Sequence, residues 1–108
     1  RVTAWGTTAA NTNSKVVRIR FGGIGGTSIA TYSTSSASAS WRTDAIVVRT
    51  GAATQESSGV TGFTTASNFV AASPTATLSN AVDIVVTGLT ATAAGDMTLK
   101  GMIVEALN

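Results

Sequence analysis

Residues 41–55, WRTDAIVVRTGAATQ, place two arginines and an aspartate in an otherwise apolar run that ends on small residues. Alternate positions divide this run into two sets. One set is Trp41, Thr43, Ala45, Val47 and Arg49, and the other is Arg42, Asp44, Ile46, Val48 and Thr50. A period of two is that of a β-strand with one buried face. The stretch therefore predicts a strand over 40–50, and its charges are either a site or the solvated face of that strand.

The rest of the sequence also predicts β-strands. KVVRIRF at 15–21 alternates cleanly and predicts a core face, which is formed by Lys15, Val17, Ile19 and Phe21. Further strands are predicted over 1–8, 27–33, near 52–60, 82–88 and 97–107. A long irregular connection is predicted to run from 60 to 71, and Pro74 makes 72–77 an edge at most. No segment has helical periodicity, and the Gly-, Asn- and Ser-rich turns between strands indicate an antiparallel sandwich or barrel.

The amino-acid composition excludes several classes of function. The 108 residues suit one domain, and only 11% are charged, whereas roughly three in ten are Ser or Thr. A net charge of +2 is too small for electrostatic capture of nucleic acid. With no cysteine and no histidine, disulfides, thiolate metal sites and imidazole catalysis are excluded. No apolar run approaches the roughly 18 residues that a membrane span needs.

Two features of the sequence, a glycine-rich segment and the acidic residues, are candidates for a ligand or catalytic site. GGIGG at 22–26 resembles a phosphate loop, but Ser28 replaces the last glycine of GxGxxG, so a flexible strand connection is the better interpretation. The five acids show no spacing that pairs two carboxylates for glycoside hydrolysis. We therefore expect no enzyme, no catalytic residue, no cofactor and no metal.

Seven residues are candidates for an interface or a glycan contact. The arginines either pair with carboxylates on neighbouring strands or lie in a subunit interface. The aromatic residues either pack in the interior or stack on a sugar ring. Nucleic-acid binding would require more aromatic residues among the arginines. The candidates are Trp5, Arg18, Arg20, Tyr32, Trp41, Arg42 and Arg49.

Three blocks together resemble a domain of tailed-bacteriophage structural proteins. They are AWGTTAANTNSKVVRIRFGG at 4–23, WRTDAIVVRTGAATQ at 41–55 and DMTLKGMIVEALN at 96–108. The resemblance implies a jelly-roll-like antiparallel β-sandwich that serves as a virion surface or fibre module. It also implies a homotrimer that contacts other virion proteins. In similar sequences a preceding segment supplies early strands, so residues 1–108 are expected to be a single domain in the C-terminal part of a longer chain.

The resemblance carries no catalytic residues over to this chain. It leaves the location open between capsid decoration, head fibre and tail. The alternative function is a carbohydrate- or host-receptor-binding module at a fibre or tail tip, with a host-surface glycan as its ligand. The two functions differ in the expected position of the aromatic residues: buried between subunits for assembly, exposed beside a polar cleft for binding.

Overall fold

A computed structural model describes residues 1–64, 66–90 and 94–107, and eight strands account for most of them. The strands are β1 (Val2–Thr8), β2 (Lys15–Phe21), β3 (Thr27–Thr34), β4 (Ser40–Arg49), β5 (Gln55–Phe63), β6 (Ala66–Ala72), β7 (Ile84–Thr90) and β8 (Met97–Val104). The described residues include no helix that could cross a membrane.

The strands form two antiparallel sheets. One has the order β6-β5-β4-β1-β8, and the other has the order β3-β2-β7. Pairing is nested as in a jelly roll, because the first strand pairs with the last, β2 pairs with β7, and β4 pairs with β5. The prediction of an all-β, antiparallel, jelly-roll-like sandwich is confirmed.

The two flanks of the sandwich differ. At one flank the sheets approach closely, because a Cβ on Gly59 of β5 would meet the backbone of Ile29 in β3. Asn68 of β6 also donates a hydrogen bond to the Thr31 carbonyl across this flank (3.0 Å). At the other flank lie β7 and β8, each the last strand of its sheet.

The core lies between the sheets and follows the predicted alternation. Val17, Ile19 and Phe21 of β2 are buried, and they face Ala45 and Trp41 of β4. Lys15 belongs to the same buried face, as its position in KVVRIRF predicts. Burial of these side chains is the main favourable term in the stability of so small a domain.

The prediction failed between residues 61 and 72. The expected irregular connection is instead the end of β5 followed by β6, which pair from Ser57↔Ala72 to Phe63↔Ala66. Strand β6 was missed because five of its seven residues are exposed, so its sequence ASNFVAA shows no alternation. Pro74 follows β6, and its carbonyl accepts a hydrogen bond from the Gln55 amide (3.0 Å). The sequence LTATAAGD predicts a turn over 89–96 between the last two strands; this stretch lies partly outside the described residues, and its first two positions belong to β7.

Candidate interface surface

Apolar side chains occupy the outer face of the five-stranded sheet, which is the face turned away from the core. Residues directly opposite in antiparallel strands share a face. Val60 is opposite Phe69, and these side chains are 45% and 64% exposed. Other large apolar side chains on this face are also exposed. We define the outer apolar face as Trp5, Ile46, Val48, Val60, Phe69 and Ile103.

Asp44 lies in the middle of this face, directly opposite Val60 on β5 and Thr3 on β1, and it binds three groups. Arg42 donates from Nε to Asp44 Oδ2 (2.7 Å) and from Nη2 to Oδ1 (3.1 Å). Thr3 donates to Oδ1 (2.6 Å), and the Arg1 guanidinium lies 3.5 Å from the same oxygen. The hydrogen bonds from Arg42, with a smaller contribution from Thr3, hold the pKa of Asp44 below its ordinary value, although partial burial opposes them. The same pair raises the pKa of Arg42.

The charged residues Arg42 and Asp44 form an ion pair on the outer face of β4. Arg42 pairs with a carboxylate two residues along its own strand, and Arg1, which directly precedes β1, reaches the same carboxylate. Such exposed ion pairs contribute little to stability because solvent screens them. Asp44 therefore neutralises part of the positive charge on this face, and a strongly basic patch for a polyanion is not formed.

Trp5 lies next to this ion pair. It is directly opposite Arg42 on β4 and Gly101 on β8, and its ring covers the position that a Gly101 side chain would take. With 38% of its surface exposed, Trp5 does not pack in the interior, which was one of its two predicted positions. It borders a shallow depression of about 430 Å³, which is also lined by Arg1, Thr3, Arg42, Ile103 and Glu105.

The other two aromatic candidates lie in the interior. Trp41 is 4% exposed and packs with Val17 and Phe63, so its role as a packing anchor is confirmed. Tyr32 is half-buried, and its ring centroid is 5.2 Å from that of Phe63 at an angle of 34°. Neither ring shares the exposed face that Trp5 occupies.

The remaining arginines are dispersed. Arg18 and Arg20 lie on the face of β2 that is turned away from the core, and Arg20 donates to the Gly26 carbonyl (3.1 Å). Arg49, at the end of β4, donates to the Gly51 carbonyl (3.1 Å). Arg18 and Arg20 thus belong to the three-stranded sheet, whereas Arg42 belongs to the five-stranded one. The fold does not bring the predicted arginines together.

Sequence reasoning missed a polar cluster at the β1–β2 loop. Asp96, which directly precedes β8, accepts hydrogen bonds from Asn11 Nδ2 (2.7 Å) and Asn13 Nδ2 (2.9 Å). Lys15 Nζ donates to the carbonyls of Asn11 (2.8 Å) and Asn13 (2.9 Å). The amides of Asn13 and Asn11 lower the pKa of Asp96, and the positive charge of Lys15 adds to their effect.

This cluster has a structural role. It satisfies a lysine that is wholly buried, and it ties the β1–β2 loop to the turn before β8. The sequence signal was the pair of asparagines in the β1–β2 loop directly before Lys15. The partner at position 96 could not be found, because only the folded sandwich brings it there.

Within residues 1–64, 66–90 and 94–107, no group of three His, Cys, Asp or Glu side chains is placed to hold a metal ion. The candidate surface therefore consists of an exposed apolar face, a neutralised charge cluster and one exposed tryptophan. Comparisons with protein-family models, curated proteins and solved structures give no match for this chain.

Proposed function

We propose that this chain is a non-enzymatic structural module of a bacteriophage virion that associates with copies of itself as a homotrimer. The outer apolar face is the observation that carries the proposal. Its side chains lie on five adjacent strands, so they can be covered together by a flat partner surface. The exposed apolar side chains surround the Arg42–Asp44 pair on this face, and large exposed apolar surface on a sheet marks interaction sites.

The resemblance to tailed-phage structural domains supports the virion location. Its three sequence blocks are distant in the chain, yet they supply β1 with β2, β4, and β8. Strands β4, β1 and β8 are neighbours in the five-stranded sheet. The blocks thus form one contiguous region of structure rather than scattered similarities. Capsid decoration, head fibre and tail component are the forms that this module would take, in contact with other virion proteins.

Self-association is tested by size-exclusion chromatography with light scattering. A trimer is expected at micromolar concentration, and Phe69→Ser with Val60→Ser should shift it towards smaller species. Arg18→Ser, on the other sheet, is the matched control and should leave the mass unchanged. A wild-type monomer at all concentrations up to the millimolar range would contradict the proposal. Labelling of the chain in intact particles tests the virion location separately.

A second function is favoured by one observation. Trp5 is exposed beside a depression that has polar groups from Arg1, Thr3, Arg42 and Glu105, and exposed aromatic rings with polar neighbours are suited to binding a sugar ring. A glycan array probes this directly. Binding that is lost in Trp5→Ala but kept in Phe69→Ala would favour a carbohydrate- or receptor-binding module over a purely structural one.

A further inference from the structure

The indole ring of Trp5 lies flat on the outer face of the five-stranded sheet. A Cβ added to Gly101 would be nearest to Cζ2 of Trp5, and it would lie at an equal 2.7 Å from Cε2 and Cη2, the ring atoms on either side. A point so placed is above the ring and not at its edge. One face of the six-membered ring therefore covers the Gly101 backbone, and the other face is turned away from the sheet. An exposed fraction of 38% agrees with a ring that is covered on one side.

Two features of the backbone give the ring this position. Gly101 has no side chain, so the ring can rest directly on its backbone. The register of β1 and β8 also shifts between Trp5 and Gly6, which makes Lys100 an extra residue in β8. Such β-bulges re-aim a neighbouring side chain and are frequent beside functional sites. The flat ring thus depends on both strands and is in place before any ligand arrives.

Polar groups surround the open face of the ring. The depression beside Trp5 has a volume of about 430 Å³, within the usual range for small-molecule sites. Arg42 uses Nε and Nη2 to bind Asp44, which leaves its Nη1 available, and the Arg1 guanidinium lies against the same carboxylate. Within the described residues the carboxylate of Glu105 has no hydrogen-bond or ion-pair partner. The rim therefore offers both donors and an acceptor to a ligand.

This combination indicates an uncharged sugar. Hydroxyl groups both donate and accept hydrogen bonds, as this rim requires, and the C–H face of a pyranose ring packs on an aromatic face. The two guanidinium groups, of Arg1 and Arg42, are balanced by the carboxylates of Asp44 and Glu105, so the cluster has no excess charge for an acidic sugar. Ile103, which is 49% exposed, adds an apolar wall. A purely aromatic ligand would leave the polar rim unmatched.

We propose that a neutral hexopyranose stacks on the outer face of the Trp5 ring, with its hydroxyl groups bonded to Arg42 and Glu105. Gly101 is a positioning residue for this site, because it allows the ring to lie flat. This inference rests on the second proposed function, carbohydrate binding, and it names the class of sugar and the residues that hold it.

NMR titration tests the site with three probes: methyl β-D-galactopyranoside, methyl β-D-glucopyranoside and, as an acidic sugar, glucuronate. Trp5 belongs to the outer apolar face that a second copy would cover, so the titration uses the Phe69→Ser, Val60→Ser variant. The indole N–H signal of Trp5 should shift with at least one methyl hexoside, with a dissociation constant on the order of 1 mM. The signal of Trp41, which is buried, should not move.

Three further changes in the same background separate the roles of the residues. Trp5→Ala removes the ring and should weaken binding by about tenfold or more. Gly101→Ala keeps the ring but lifts it from the sheet, and it should weaken binding by about threefold or more. Gly62→Ala is the matched control, because Gly62 is opposite Arg42 on the same face and its Cβ would lie at an ordinary 3.9 Å from Ser67. Urea unfolding checks that each variant is folded.

The outcomes separate this inference from the proposed functions. If glucuronate binds more tightly than both methyl hexosides, the ligand class is wrong, and if Gly101→Ala binds like Gly62→Ala, the positioning role is wrong. If the chain binds a glycan on an array but the Trp5 signal responds to none of the probes, carbohydrate binding stands and this site is wrong. If neither experiment shows binding, the second function and this inference both fall, and the proposed self-association is unaffected.

Discussion

At the scale of single residues, Asp96 has the clearest consequence. Its pKa is held below the ordinary value of 3.8 by the amides of Asn13 and Asn11. The unfolded chain therefore takes up a proton before the folded one. The stabilisation from this carboxylate is complete above about pH 4 and is lost as the pH falls through the lowered, folded-state pKa.

Replacing Asp96 by Asn tests this role. At pH 7 the variant should unfold at a lower urea concentration, because an amide carries no charge and places its Nδ2 donor against the Nδ2 donor of either Asn11 or Asn13. At an acidic pH below the lowered pKa of the wild-type carboxyl, the two urea midpoints should converge. A difference that is equal at both pH values would show that Asp96 acts through its shape alone.

Other residues could be predicted from the sequence because their position within a strand decides their environment. Lys15 was assigned to the core face by alternation, and it is buried despite its charge. The exposure of Trp5 was harder to predict, because it depends on what covers the outer face of the five-stranded sheet. Whether an outward residue is exposed depends on what lies above it, and a strand pattern contains no such information.

At the scale of elements, the β1–β8 pair depends on two glycines with different neighbours. The register shifts between Trp5 and Gly6. A Cβ at Gly6 would collide with the Thr98 carbonyl and the Trp41 ring, whereas a Cβ at Gly101 would meet only the ring of Trp5. Backbone cannot move aside within a ladder, but an exposed side chain can.

Gly6→Ala should therefore destabilise the domain by about 1–3 kcal/mol or more, measured by urea unfolding. Gly101→Ala is the matched control, with an expected cost below about 1 kcal/mol. Equal losses in the two variants would mean that the ring of Trp5 is held as firmly as the backbone.

The elements themselves show what sequence patterns can and cannot predict. Strands β2 and β4 were assigned correctly because each has one buried and one exposed face. Strand β6 was missed because it is an edge strand whose side chains are mostly exposed, so no hydrophobic period remains. The joining of β1 to both β4 and β8 is a property of distant pairing, which local periodicity does not encode.

At the scale of the whole molecule, the low charge determines how self-association should respond to salt. The net charge is +2, and Arg42 is already paired with Asp44. An interface built from the outer apolar face gains its free energy mainly from apolar burial. The dissociation constant should change by less than about threefold between about 50 and 500 mM NaCl, because screening acts mainly on exposed charges.

Sulfate should strengthen the same association, because it is excluded from apolar surface and favours its burial. Arg42→Gln tests the charge on the same face: because Arg42 is already paired with Asp44 within its own chain, the variant should keep both the affinity and the flat response to NaCl. An affinity that falls tenfold with added NaCl, or with Arg42→Gln, would instead indicate that the arginines carry the contact across subunits. In that case the arginines of residues 41–50, and not the apolar side chains of this face, would supply the free energy of self-association.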